Sequence, residues 1–117
     1  MNMTTEPANK PTSCPVHGFQ RLINGKYKLR IIWDLQKGSK RYSEIRRGLL
    51  KGMMGTDEVA ARVLSRELKA LTEMGILQRK DYKVVPPKVE YTLTALGKSL
   101  IPVIRVIHRW GTQKFDR

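Results

Sequence analysis

Basic side chains are the residues of this sequence whose chemistry is easiest to foresee. The 117-residue chain carries 23 Lys and Arg against 10 Asp and Glu, a formal net charge of +13. Cations at this density bind polyanions, because each neutralised phosphate releases condensed counterions. Arginine adds specificity, since its guanidinium can donate two parallel hydrogen bonds to guanine O6 and N7. We expect nucleic acid as the partner; a solvated charged surface and an anionic membrane surface are the alternatives.

Catalytic and metal-binding chemistry has little support in the sequence. Cys14 is the single cysteine and the two histidines are His17 and His108, which are too few ligands for a zinc cluster. A glycine-rich phosphate loop, a paired-cysteine motif and an HExxH motif are all absent from the sequence, and Asp34 and Glu44 are isolated carboxylates. We expect no enzyme activity, no metal and no cofactor.

The compartment can be anticipated from the same residues. A lone cysteine cannot build an internal disulfide framework, which favours a reducing setting. The sequence has neither a run of 18 apolar residues nor a secretory signal at its start. We expect a cytoplasmic protein that has no membrane partner.

The elements that position the basic residues begin after a polar arm. Residues 1–13 lack apolar periodicity and contain two prolines, so we expect a flexible segment there. Apolar residues at helical spacing predict two helices, over residues 15–24 and 26–36, each ended by a glycine. The aromatic residues of the second helix are expected in the core. Lys28, in the same helix, is expected to contribute only to the overall positive field.

Two helices joined by a loop come next. Ser43 is the predicted N-cap of the first, whose outer face carries Arg46 and Arg47. Glycines in the segment KGMMGTD predict the loop, and Thr56 is the predicted N-cap of the second helix, EVAARVLSRELKALTEM. Its apolar residues form one stripe that extends to Met74. Its polar face presents Arg62, Ser65, Arg66 and Lys69.

A β-hairpin follows the glycine that ends this helix. Residues 76–84 and 88–94 are rich in β-forming residues and partly alternate between polar and apolar. Pro86 and Pro87 fall between them, at the tip, where a missing amide costs the ladder nothing.

The last helix completes the folded part of the chain. Thr94 is its predicted N-cap, Pro102 is expected to bend it because proline lacks the amide donor, and Gly111 is its predicted stop. Its apolar residues cover more than one face, which is more than one small core can bury, so we expect helix-to-helix dimerisation. The predicted folded domain is residues 14–111, followed by a tail, residues 112–117.

The order of the elements predicts the fold. The order is three helices, a turn, a fourth helix, a hairpin and a last helix. This order is typical of a winged helix-turn-helix, a mainly α fold with a small β-hairpin and terminal helices available for dimerisation. In this arrangement the second helix of the pair enters the major groove of DNA. The hairpin forms the wing, whose basic residues lie along the backbone or the minor groove.

Several segments, in this order, resemble one family. The chain resembles the HxlR family of bacterial winged-helix regulators in three segments: GKYKLRIIWDLQKGSKRYSEIRR, VLSRELKALTEMGIL and VPPKVEYTLTALGKSLIPVI. Cys14-Pro15-Val16 at the start and Trp110-Gly111 at the end are also similar to that family. The similarity covers about residues 14–111, and PPKVEYTLTALG is its strongest part.

The resemblance implies a transcriptional regulator that binds double-stranded DNA at an inverted-repeat operator. It implies a homodimer held by the first and last helices. The implied groove-facing residues are Ala61, Arg62, Ser65 and Arg66. The implied wing contacts are Lys83 and Lys88, and the implied phosphate contacts are Arg41, Arg46 and Arg47. This chain is several residues longer than the family around Lys51–Asp57, and alanine at position 61 reduces the expected number of base contacts.

The resemblance also makes Cys14 a candidate sensor, because some members of the family use a cysteine at this position to detect oxidants or electrophiles. His17 and Arg21 follow close behind and could supply the positive charge that favours a reactive thiolate. Without a second cysteine, oxidation yields an intersubunit Cys14–Cys14 bridge, a mixed disulfide or a sulfenic acid. The alternative is a small, partly buried residue at the dimer interface.

Two other functions are compatible with the sequence. A non-specific architectural nucleic-acid-binding protein would carry the same charge, although RNA-binding proteins usually expose aromatic platforms that are not evident here. A regulator that responds to a small-molecule effector, with DNA binding as the readout, is the second.

Overall fold

The elements occur in the predicted order, with one short strand added. The computed structural model describes residues 14–25, 27–52 and 60–115. The predicted arm, the predicted cap Thr56 and most of the additional loop residues lie outside these ranges. The helices are α1 (Pro15–Leu22), α2 (Lys28–Asp34), α3 (Tyr42–Gly52), α4 (Ala61–Glu73), α5 (Ala95–Ser99) and α6 (Ile101–Phe115), and a 3-10 turn, Leu35–Lys37, follows α2. The strands are β1 (Lys40–Arg41), β2 (Leu77–Asp81) and β3 (Val89–Leu93).

The winged helix-turn-helix prediction is confirmed, and the sheet is larger than the predicted hairpin. Strands β2 and β3 pair antiparallel from Leu77 opposite Leu93 to Asp81 opposite Val89. β1 adds a third strand on the other side of β3, with Arg41 opposite Glu90. A strand of two residues is too short to show an alternating pattern, which is why the sequence did not indicate it.

One hydrophobic core holds the helices against the sheet. Its fully buried side chains come from α2, the 3-10 turn, α3, α4 and β2: Ile31, Ile32, Leu35, Ile45, Leu49, Leu64, Leu68, Leu71 and Leu77. Tyr27 is buried as predicted, whereas Trp33 is half-buried and its ring stacks on His108 of α6, with 5.2 Å between centroids. Met74 was wrongly placed on the buried stripe: it follows the end of α4 and is 41% exposed.

The predicted helix starts were right at one position and wrong at another. Thr94 caps α5, and its Oγ1 accepts the N–H of Gly97 at 3.1 Å. Ser43 is not an N-cap, because α3 begins one residue earlier at Tyr42. Glu44 performs the capping from the third helical position, where its carboxylate accepts the N–H of Arg41 at 2.8 Å.

The predicted last helix is two helices. The helix is interrupted at Leu100, so Pro102 is the second residue of α6. An N–H at this position would have no intrahelical acceptor, so the proline costs no hydrogen bond there. Gly111 was wrongly predicted to be the stop: α6 continues to Phe115, into the predicted tail. A glycine inside a helix costs only about 1 kcal/mol relative to alanine, and the Phe115 ring packs edge-on against Trp110 at 5.2 Å.

The end of α4, the start of the wing and the start of α5 meet at one point, which we call the joint. Gly75 ends α4 with a φ of +80°, a conformation that favours glycine. Thr94 donates from its backbone N–H to the carbonyl of Ile76 (3.0 Å) and from its hydroxyl to the carbonyl of Gly75 (2.5 Å). A Cβ at Gly97 would collide with the carbonyl oxygen of Ile76, so α5 can approach only through a glycine.

Candidate nucleic-acid interface

Helix α4 separates its apolar and polar residues cleanly. Leu64, Leu68 and Leu71 are buried, and the helix is 13 residues long. The side chains on its outer face are all exposed: Ala61, Arg62, Ser65, Arg66 and Lys69. The structure therefore brings the four residues predicted to face the groove onto one open surface.

Helix α3 places its basic residues beside this surface. Arg46 and Arg47 are exposed, while Ile45 and Leu49 of the same helix are buried. The Tyr42 hydroxyl at the start of α3 donates to the carbonyl of Ala61 at 3.3 Å, which joins the two helix starts. Tyr42, Ser43, Arg46, Arg47, Leu50 and Ala61 line a shallow groove of ≈ 540 Å³ between the two helices.

A buried ion pair lies beneath α4. The Lys28 ammonium contacts the Glu67 carboxylate and donates to the carbonyl of Asn24 at 2.5 Å. Lys28 is 8% exposed and Glu67 is 3% exposed. Gly25 closes over the pair with a φ of +113°, and a Cβ there would collide with the Glu67 carboxylate. The pair ties the α1–α2 turn to the buried face of α4.

This role of Lys28 corrects the expectation that it contributes only to the field. The ammonium is inside the protein and neutralised by Glu67 rather than facing a ligand. The sequence held one signal of this arrangement, because Glu67 falls on the apolar stripe of its helix between Leu64 and Leu68. A carboxylate on an apolar stripe is rarely buried without a cationic partner.

The tip of the wing exposes one predicted lysine and partly covers the other. Lys83 is exposed and has a φ of +56°, and its N–H donates to Oδ1 of Asp81 at 2.9 Å. Lys88 is half-buried, with its ammonium 4.4 Å from the centroid of the Tyr82 ring. The Tyr82 N–H donates to the carbonyl of Lys88 at 2.9 Å, which extends the pairing of β2 and β3 by one bond.

The wing also contains a group of interacting side chains that we call the wing cluster. Its members are Arg41, Lys80, Tyr82, Lys88 and Glu90. The Tyr82 hydroxyl donates to Oε1 of Glu90 at 2.7 Å. Glu90 lies on the central strand with Lys80 opposite it on β2 and Arg41 opposite it on β1. The hydrogen bond from Tyr82 lowers the pKa of Glu90, with smaller contributions from Lys88, Arg41 and Lys80, and the same bond raises the pKa of Tyr82.

Helices α1 and α6 present apolar side chains to the outside. None of the residues of α1 is buried. The large apolar residues that these two helices expose are Val16, Val103, Val106, Ile107, Trp110 and Phe115. Exposed apolar residues of this kind are typical of interaction surfaces.

Comparison with known proteins decides the family. A sequence model described as HxlR-like helix-turn-helix matches residues 22–117. The chain belongs to this HxlR-like family. YdeP of Bacillus subtilis (strain 168), an uncharacterised HTH-type transcriptional regulator, is 38% identical over 104 residues, which cover 89% of this chain and 76% of YdeP.

Solved structures agree with the HxlR-like assignment. A proposed MarR-family transcriptional regulator from Porphyromonas gingivalis W83 aligns with a TM-score of 0.78 and 31% identity, over 93% of this chain and all of that one. The redox regulator HypR in its oxidised form aligns with a TM-score of 0.75 and 35% identity, over 89% of this chain and all of HypR. The chain is thus similar to helix-turn-helix transcriptional regulators, and no enzyme family is indicated.

Cys14 of this HxlR-like chain stands at an exposed position. It is a free cysteine immediately before α1, and its carbonyl accepts the N–H of Gly18 at 3.0 Å. His17 and Arg21 are also exposed.

Within the described residues no group of three His, Cys, Asp or Glu side chains could hold a metal ion, and no described helix is long and apolar enough to cross a membrane.

The sequence predicted the exposed basic residues of the candidate interface but did not indicate the side chains that contact them. Lys80, Tyr82 and Glu90 were not singled out, although the hairpin register brings all three together with Lys88. The alternation of residues 88–94 already placed Glu90 on the polar side of its strand beside Lys88. A carboxylate at the centre of a basic hairpin was the available signal.

Proposed function

We propose that this HxlR-like protein is a sequence-specific regulator of transcription that binds double-stranded DNA as a homodimer. The observation that carries the proposal is the outer face of α4, where Arg62, Ser65 and Arg66 are exposed together beside two further arginines of α3. A helix of this kind fits the major groove, and its arginines can read guanine edges. Ala61, nearest the start of α4, offers a methyl group rather than a hydrogen bond.

The remaining basic residues supply contacts to phosphates. These residues lie on the elements before and after α4. They are Arg41 on β1, Arg46 and Arg47 on α3, and Lys83 and Lys88 on the wing. Such contacts fix the orientation of a protein on the duplex but do not depend on base sequence. Specificity then rests mainly on Arg62, Ser65 and Arg66.

The exposed apolar residues of α1 and α6 support the homodimer. A second copy of the chain would cover them and repeat α4 about a two-fold axis, as an inverted repeat requires. Ile107→Glu places a charge in this surface and is expected to convert a sedimenting dimer to a monomer. Arg105→Glu, at an exposed polar position of the same helix, is the matched control and should remain dimeric.

Selection from a random duplex library, followed by sequencing of the enriched molecules at moderate salt, tests the proposal. An inverted repeat with half-sites about one helical turn apart is the expected result. Binding that weakens with salt but enriches no sequence would contradict specificity and would support an architectural nucleic-acid-binding protein instead.

Control by thiol modification is a second, finer proposal. Cys14 is free and exposed beside the apolar surface of α1, and the solved structures similar to this chain include HypR in its oxidised and reduced forms. Oxidation of two Cys14 thiols by diamide, which takes up the two electrons and two protons, would join two subunits through their α1 helices. After diamide treatment, the wild type is expected to run as a covalent dimer on a gel without reductant and to have an altered affinity for DNA. Cys14→Ser is expected to show neither change. Unchanged affinity with Cys14 fully modified contradicts the proposal.

A further inference from the structure

The wing contains a carboxylate where DNA binding alone would not place one. Glu90 sits on the central strand of the sheet, with Arg41 and Lys80 opposite it on either side. A negative charge beside phosphates repels them, so a surface selected only for its field would have a neutral residue there. The position of Glu90 is therefore explained by what it contacts within the protein.

The contacts of Glu90 lead to the wing lysines through a single aromatic side chain. The Tyr82 hydroxyl donates to Glu90 at 2.7 Å, which anchors the far end of the ring. The near end is anchored by the bond from the Tyr82 N–H to the carbonyl of Lys88. The ammonium groups of Lys80 and Lys88 lie 4.7 Å and 4.4 Å from the ring centroid, within the range of cation–π attraction.

We propose that Tyr82 and Glu90 are positioning residues of the wing, which hold the Lys80 and Lys88 ammonium groups in place for contact with phosphates. The inference rests on the proposed binding of DNA by the wing. A free lysine side chain loses rotamer entropy when it is fixed against a phosphate. A lysine already held against the Tyr82 ring loses less, so the wing binds more tightly without carrying more charge.

The directions of the pKa shifts of Tyr82 and Glu90 agree with this arrangement. The pKa of Glu90 lies below its usual range and the pKa of Tyr82 lies above its own, both because of their shared hydrogen bond. The hydroxyl–carboxylate form is therefore the one present around neutral pH, facing Lys80, Lys88 and Arg41. Glu90 is neutralised locally by these cations, which limits its repulsion of phosphate.

The test compares affinity with salt dependence on one labelled duplex of about 30 base pairs. The wild type is measured first: a log–log salt slope near zero or no binding would overturn the proposed DNA function itself. Tyr82→Phe, which removes only the hydroxyl, is expected to weaken binding about three- to tenfold with an unchanged slope. Lys88→Ala is expected to reduce the slope by about one.

Glu90→Gln separates positioning from field. Glu73→Gln, at an exposed position of α4, makes the same change in net charge and serves as its control. If Glu90 acts only through its field, Glu90→Gln binds at least as tightly as Glu73→Gln. If it positions Tyr82, Glu90→Gln binds more weakly than Glu73→Gln despite the added positive charge.

A double-mutant cycle closes the test. If Tyr82 acts through Lys88, Tyr82→Phe has a smaller effect in the Lys88→Ala protein than in the wild type, because the lysine that it positions is gone. Full additivity of these two changes, or Tyr82→Phe binding as tightly as the wild type, overturns the proposal while leaving the DNA function in place.

Discussion

Two groups of charged side chains stabilise the two basic elements of this HxlR-like protein in opposite ways. Beneath α4, Lys28 and Glu67 form an ion pair that is almost completely removed from solvent. On the wing, Glu90 and its basic neighbours interact at the surface, where water and salt screen them. Helix α4 is thus stabilised by an ion pair inside the protein, whereas the wing is stabilised by interactions at its surface.

The comparison indicates where the loss of each group would be observed. Breaking a buried pair leaves an uncompensated charge in the core, so the change appears in the free energy of unfolding. Breaking a surface cluster releases side chains into water, so folding is little affected and the change appears in binding. Burial, rather than the number of ionic contacts, decides which measurement responds.

The largest expected effect is on the buried pair. Lys28→Met leaves Glu67 unpaired and is expected to lower the free energy of unfolding by about 3–5 kcal/mol, measured by denaturant titration. The double variant Lys28→Met/Glu67→Met removes both charges and should recover most of this loss. A single variant as stable as the wild type would contradict the description of the pair as buried and coupled.

The next effect concerns the glycine that closes over the pair. Gly25→Ala is expected to destabilise by about 2 kcal/mol or more, because alanine is strained at φ +113° and its Cβ collides with the Glu67 carboxylate. Gly38→Ala is the matched control, since Gly38 also has a positive φ, +145°, but open space around it. Equal losses of stability in the two variants, measured by thermal unfolding, would contradict this expectation. They would show that the Glu67 and Lys28 side chains can move away from the new Cβ without loss of stability.

A smaller effect is expected at the outer face of α4, on DNA binding. Arg66→Ala should remove about 1–3 kcal/mol of discrimination at one base pair and leave the unfolding free energy unchanged. Arg105→Ala on α6 removes the same charge from an exposed position away from α4 and controls for the field. Binding assays on the selected operator and on single-base variants of it provide the measurement. Unaltered preference in Arg66→Ala would contradict the assignment of Arg66 as a base contact.

The smallest effect is the pH dependence of the wing. The folded pKa of Glu90 is lowered, so its contribution is present above the ordinary carboxyl pKa and is lost as the pH falls through the folded value. The folded pKa of Tyr82 is raised, so its contribution is lost only as the pH rises through the folded value, above 10. The ratio of wild-type to Tyr82→Phe affinity should be constant near neutral pH and approach one in acid. A ratio that stays constant as the pH falls through the protonation of Glu90 would contradict the assigned hydrogen bond.

Much of the fold could be predicted because its signals are local. Thr94 as a cap, Gly75 as a helix stop and the stripe of leucines on α4 depend on residues close in sequence. The outer face of α4 followed from the same periodicity. These features need no knowledge of tertiary structure.

The features that were missed depend on distant residues. Lys28 and Glu67 are 39 positions apart, and β1 has an identity only through its pairing with β3. Ser43 lost its capping role because β1 leads directly into α3 and Glu44 takes that role. Gly111 did not stop α6, because one glycine costs a helix only about 1 kcal/mol and the Phe115 ring beyond it contacts Trp110 of the same helix.

The joint at Gly75 and Thr94 is the point about which α4 would rotate relative to the wing. Its 13 residues extend about 20 Å from the joint, so turning the helix there by about 10° would swing its far end by about 3 Å. That distance is close to the rise of about 3.4 Å between neighbouring base pairs. Because hydrogen bonds and the close approach of Gly97 fix the joint, such a swing is resisted. In the proposed homodimer, the stiffness of this one short corner would help to set the spacing between the two half-sites.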